Sequence, residues 1–163
     1  MQTLIRSWSL AVLPLLAGLL PGLVGAAGAV EEERTPTQGA EQAALAVLDQ
    51  FMASFNARDP ARHAATYHFP HYRLARGEMS VWETAGAAQE RHQAVFPALV
   101  AGGWDRSEWL EREIVTASPT KVHVATRFRR LRADGSEIGR YDSLYVVVKV
   151  DDHWGVKLRS SFL

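Results

Sequence analysis

Between Ala40 and Asn56 the apolar residues Ala44, Val47, Leu48, Phe51 and Phe55 return at spacings of three and four. That is the stripe of a helix with one face turned to a core, and it predicts a helix over 40–56. Leu45 and Met52 sit on its shoulders, and Glu41 lies in the first turn, where an acid offsets the helix dipole. Asn56 is suited to end it in a left-handed conformation. Asp59 and Pro60 then supply an N-cap and a first-turn proline for a short second helix, about 60–67. Pro70 forbids more helix, and 72–75 and 79–82 alternate across Arg76-Gly77 as a hairpin does. Thr84 caps a third predicted helix over 85–100, with Ala88, His92, Val95 and Leu99 on one face, a kink expected at Pro97 and a stop at Gly102-Gly103.

Beyond this point the chain becomes rich in β-branched and aromatic residues, with turn signals at regular intervals. Strands are predicted over 108–117, 121–131, 137–150 and 154–162, joined as an antiparallel meander. Helices first and a meander last predict an α+β class, three N-terminal helices packed on one face of a curved, mostly antiparallel sheet.

The N-terminal end differs in kind. Arg6 precedes an apolar run from Leu10 to Leu20 broken by Pro14 and Gly18, and small residues follow from Gly25 to Ala29. This layout predicts a signal peptide over 1–29, cleaved after Ala29 or, as a second site, after Ala26, and hence an exported chain, periplasmic or secreted. The run is short and interrupted for a spanning helix, so a retained anchor is the weaker alternative. Residues 30–39, charged and bearing proline and glycine, read as a flexible leader, and 40–163 as a single domain.

Composition then removes several classes of function. The chain has 18 basic and 18 acidic residues, and 1–29 holds only one of them, so the mature chain stays close to neutral. Such a balance leaves no electrostatic footprint for nucleic acid; the basic run Arg127, Arg129, Arg130, Arg132 is answered locally by Asp134 and Glu137. The absence of cysteine excludes disulfides, thiol nucleophiles and thiolate metal sites. His63, His68 and His71 are close in sequence, but His63 falls by spacing on a different surface, so no metal site is expected. No dinucleotide, phosphate-loop, zincin or serine-hydrolase motif occurs, and no cofactor is expected.

The helix ending FNARD, Pro60 opening a short helix, the HFPHYRL lead into the strands and a meander closing on DDHWGVKLRSSF together resemble the NTF2-like, or SnoaL-like, superfamily of cystatin-like α+β cones. The resemblance covers Glu41 to Phe162. It implies a cavity enclosed by helices and a curled sheet, and it says little about function, since the fold hosts isomerases, hydrolases and many proteins without known chemistry.

Three sets of residues are candidates for chemistry in such a cone. Tyr67, His68, His71 and Arg73 bracket Phe69-Pro70, and a histidine is the natural acid or base near neutral pH. The resemblance to the ketosteroid isomerase branch implies a proton-shuttling carboxylate near this segment. No Asp or Glu stands between Tyr67 and Gly77, so only a histidine is available for that role. Arg140 and Asp142 share a strand face, as does an Arg-x-Asp pair in the limonene-1,2-epoxide hydrolase branch, but the last strand offers no acid to complete that triad. A cross-strand ion pair of Asp142 with Arg127 or Arg129 is the structural alternative. On the closing strand Lys157 and Arg159 share one face, with Trp154, Val156 and Leu158 on the other; Arg159 is either an exposed cation or a ligand for an anionic group.

The leading expectation is a cone that binds a small, mostly apolar molecule, walled by Phe51, Phe55, Phe69 and Trp82 with Arg73 and Arg140 as polar contacts. One alternative is an acid/base isomerase or hydrolase using His68 or His71 with Tyr67 or Asp142. The other is a non-catalytic module, since family members often pair through the outer sheet face, which implies a possible homodimer.

Overall fold

The computed structural model describes residues 35–162. The expected signal peptide, both cleavage sites and residues 30–34 of the leader lie outside the described residues. The elements run α1 (Pro36–Asn56), α2 (Pro60–Ala64), β1 (Tyr67–Ala75), β2 (Glu78–Trp82), α3 (Ala85–Ala101), β3 (Arg106–Ser118), β4 (Lys121–Leu131), β5 (Glu137–Val150) and β6 (His153–Phe162).

α1 begins earlier than the apolar stripe indicates, so Pro36–Gly39 of the expected leader form its first turn. The cause is local: Thr35 Oγ1 accepts from the Gln38 N–H at 3.3 Å and Gln38 Oε1 accepts from the Thr35 N–H at 2.8 Å. This reciprocal capping box satisfies two donors the helix start leaves open. At the other end the left-handed residue is Arg58, φ 54°, and not Asn56. Asn56 instead uses its side chain to bind β3, donating from Nδ2 to Ser107 O and accepting on Oδ1 from Ser107 N.

α2 starts as predicted, with Asp59 accepting from the Arg62 N–H and Pro60 in the first turn. It stops at Ala64, and Tyr67 opens β1, so the first strand is longer and the helix shorter than the sequence signals suggest. Arg76 and Gly77 both take positive φ, as a two-residue hairpin turn requires. Thr84 caps α3 through the Ala87 N–H, and Pro97 lies inside that helix.

The sheet has the order β2-β1-β6-β5-β4-β3, antiparallel except for the parallel pair β1 and β6. It is curved, and α1 lies across β3 to β6. Leu48, Val47, Ala44 and Phe51 of α1 meet Val122, Val124, Tyr145, Val147 and Val156 of the sheet in one core. Fully burying a valine, leucine or phenylalanine side chain of this kind contributes roughly 1.5–3 kcal/mol.

One irregularity in β6 decides what the cavity contains. On β5, Val147 faces Val156 and Val146 faces Leu158, so Lys157 is the extra residue of a bulge. A bulge reverses the phase of all that follows. Leu158 therefore shares the outer face with Val146, while Arg159 is turned inward beside Tyr145. The expected shared face of Trp154, Val156 and Leu158 is broken there.

Candidate functional site

Two adjoining recesses, of about 70 and about 20 Å³, lie under α1 and α3 against the sheet. Phe55, Arg130 and Arg159 border both of them. The larger one adds His63, Tyr67, His71, Arg73, Trp82, Arg91 and His92. The smaller one is mostly apolar, with Phe51, Met52, Phe128 and Tyr145. Four guanidinium groups thus border one cavity, Arg73, Arg130 and Arg159 half-buried and Arg91 exposed at the mouth, with no carboxylate on its lining.

Six arginines elsewhere in the fold are paired. Arg58, Arg106, Arg112, Arg127, Arg129 and Arg140 each meet an Asp or Glu. None of the four cavity arginines forms an ion pair among the described residues. Arg73 Nε and Arg130 Nε are buried without a hydrogen-bond partner. Arg159 reaches only Ser143 Oγ, at 3.4 Å from Nε and 3.3 Å from Nη2, and its cation lies over the rings of Phe51, Phe128 and Tyr145 at 5.9, 5.5 and 5.2 Å. Burial and the charge of Arg159 push Arg73 below its ordinary pKa, and burial does the same to Arg130. Both remain cations at neutral pH, since a guanidinium holds its proton in proteins.

The histidines complete the polar wall. His71 donates from Nδ1 to Val156 O at 3.0 Å, which leaves Nε2 as a lone pair in the neutral ring. The ring is stacked between Tyr67, 4.1 Å away, and Trp82, 5.1 Å away. Burial, ahead of the neighbouring arginine charges, lowers its pKa to about 4, so it is a neutral base at pH 7. Deeper in, His63 donates from Nδ1 to Phe51 O at 3.1 Å and its Nε2 accepts the Tyr67 hydroxyl at 2.9 Å. His92 donates from Nδ1 to Ala88 O at 2.7 Å, and its Nε2 stands 3.4 Å from the same hydroxyl. Burial keeps both imidazoles below the usual histidine range and raises the Tyr67 phenol, so this cluster is uncharged at pH 7.

Of the residues expected at the site, Phe51, Phe55, Tyr67, His71, Arg73 and Trp82 converge on the cavity. The other four do not. His68 alternates away from Tyr67 along β1, and its Nε2 bonds His153 O beside the Gly155 backbone. Asp142 points to the outer face because it neighbours the inward Ser143, and it pairs with the directly opposed Arg127 at 2.8 Å. Arg140 lies on that same outer face and pairs with Glu137. Phe69 packs against the core cluster. His63, expected on another surface, is fully buried against Phe51 and Phe55. Arg91, His92 and Arg130 border the cavity although nothing in the sequence reading assigns them to the site; alternation from the buried Phe128 is the signal that places Arg130 inside. Among the described residues no cluster of His, Asp and Glu is arranged to hold a metal ion.

Solved structures share this architecture at low identity. An NTF2-like protein with a cystatin-like fold from Novosphingobium aromaticivorans superposes with a TM-score of 0.63 at 9% identity, covering 76% of this chain and 80% of that one. Aln2 from a Streptomyces species gives 0.62 at 14% identity, covering 78% and 93%. An NTF2-like protein of unknown function from Shewanella oneidensis gives 0.61 at 15%, covering 74% and 97%. These likenesses establish the fold alone. No curated protein matches the sequence. Residues 40–158 match the family described as NTF2-like protein (DUF6841), and with most of its length inside that match the chain belongs to this NTF2-like family.

Proposed function

We propose that the protein binds a small organic anion in its cone, with the acidic group among Arg73, Arg91, Arg130 and Arg159 and the apolar part against Phe51, Phe128 and Tyr145. The carrying observation is the set of guanidinium groups around one cavity with no carboxylate to answer them. Burying a cation without a counter-charge is costly, and an anionic ligand offsets that cost. This narrows the expectation of a mostly apolar ligand, because the larger recess is bordered by cations and imidazoles. The test is calorimetric titration of a short-chain carboxylate against its uncharged amide, on the wild type and on Arg159→Met. Binding of the acid alone, lost in the variant, is expected; equal binding of acid and amide removes the reading.

A second reading adds proton transfer. It is favoured by the free lone pair of His71 Nε2 in the same cavity as the arginines, where it can accept a proton from a carbon of the bound anion. His68 and Asp142 have no part in it. Export through residues 1–29 belongs to the same proposal, and N-terminal sequencing of the mature protein after cell fractionation checks it. Pairing of two copies is supported only by an outer-face groove of about 380 Å³ beside Leu144 and Phe162, and sedimentation at several concentrations tests it.

A further inference from the structure

Resting on the small-anion reading, the arrangement of the arginines along the sheet says more about the ligand. Arg73 stands on β1 and Arg130 on β4, with β6 and β5 between them. Three strand spacings separate those strands by roughly 14 Å across the sheet, and the register sets Arg130 further along β4 than Val124, the residue level with Arg73. The two guanidiniums therefore enter the cavity from different sides. Each holds a buried Nε–H without an acceptor. Arg159, on β6, lies between them. It is the direct register partner of Arg73 and borders both recesses together with Arg130.

The cations consequently form two ends and a bridge. Arg73 and Arg91 border only the larger recess, and Arg130 marks the passage to the smaller one. The charges acting on each group follow the same division: Arg159 and Arg91 act on Arg73, and Arg159 acts on Arg130. A single carboxylate or a tetrahedral oxyanion presents all its oxygens at one point, so it satisfies one end and leaves the other donor bare. Two acidic groups joined by a short chain satisfy both.

We infer that the ligand is a short dicarboxylate, one carboxylate held by Arg73 and Arg91 and the other by Arg130, with Arg159 between them. Its methylene chain lies against Phe55, which borders both recesses. The neutral imidazoles of His71 and His92 flank the first carboxylate without adding charge.

The test is calorimetric titration of the protein with succinate and glutarate, set against butyrate, valerate and inorganic phosphate at one ionic strength and pH 7. The dicarboxylates are expected to bind at least tenfold more tightly than the monocarboxylates of matched length, with phosphate no better than butyrate. Arg130→Gln, shown by circular dichroism to be folded, is expected to bring glutarate down to the valerate level. Equal binding of glutarate and valerate by the wild type overturns the inference and leaves the small-anion reading standing. Binding of none of these anions removes both. The wild-type comparison decides the matter even where the variant fails to fold.

Discussion

Arg73 and Arg159 are direct partners across the parallel ladder of β1 and β6, two like charges at one register position with no carboxylate within reach. Like charges placed opposite one another destabilise a sheet, and the buried Nε of Arg73 lacks an acceptor as well. The fold therefore carries a local like-charge penalty that an anion relieves. Replacing Arg73 by Met, which keeps the stem and removes the charge, is expected to raise stability by about 1 kcal/mol in urea unfolding while weakening carboxylate binding at least tenfold. A variant that is destabilised and still binds contradicts this.

Acid should loosen the protein before its carboxylates titrate. His71 titrates near pH 4 in the fold against 6.5 when unfolded, and His63 and His92 are displaced in the same direction. Below pH 6.5 the unfolded chain takes up protons that the folded chain refuses, so stability falls as pH falls and is level above about 6.5. His71 alone accounts for roughly 3 kcal/mol in full, about 2 of it between pH 7 and 5. Urea midpoints at pH 7, 6 and 5 check this, and His71→Gln is expected to flatten the slope. Stability unchanged over that range would count against the buried neutral imidazole.

The Tyr67 hydroxyl holds His63 through a 2.9 Å bond inside the core. Tyr67→Phe removes the donor and leaves His63 Nε2 buried and unsatisfied, at an expected cost of about 1–3 kcal/mol. Carboxylate affinity is expected to stay within twofold, since the ligand's charge is met by arginines. Thermal melts and titration of the same variant separate the two effects; a large loss of affinity would assign the phenol to the ligand instead.

Gly155 is the point where β6 passes under His68. A Cβ there would stand 2.9 Å from His68 Cδ2 and 3.1 Å from the Tyr67 carbonyl carbon. Gly155→Ala is therefore expected to lower stability by about 1–3 kcal/mol, and adding His68→Ala to recover part of that, the backbone contact remaining. Full tolerance of Gly155→Ala would show that β1 is not seated there as described.

Much of the fold was legible because local signals and apolar periodicity agree. The stripe from Ala44 to Phe55, the Asp59 and Thr84 caps and the Arg76-Gly77 turn each appear where the sequence indicates. The cavity was legible only in part. Phe55, Tyr67, His71, Arg73 and Trp82 were drawn from one continuous segment whose direction the strand period carries. Arg159 is ambiguous in the sequence because the Lys157 bulge, which turns it inward, is a register event between two strands and leaves no mark in β6 alone. Arg130 sits in the run Arg127, Arg129, Arg130, Arg132, which resembles a solvated face although Arg127 and Arg129 take the outer face of β4 and Arg130 the inner one. His63 departs from the surface its spacing indicates because α2 ends at Ala64 and its fourth residue looks back onto α1. His68 and Asp142 were carried by their chemistry, and alternation along their strands sends both away from the cavity.

The most direct test of the anion site is the position of the carboxylate in a crystal of the protein soaked with a short-chain organic acid. The account predicts oxygens within hydrogen-bond distance of the Arg159 guanidinium and of Arg73 or Arg130, with no protein carboxylate alongside. An acid bound at surface arginines such as Arg62 or Arg76, with only water beside Arg159, would contradict it.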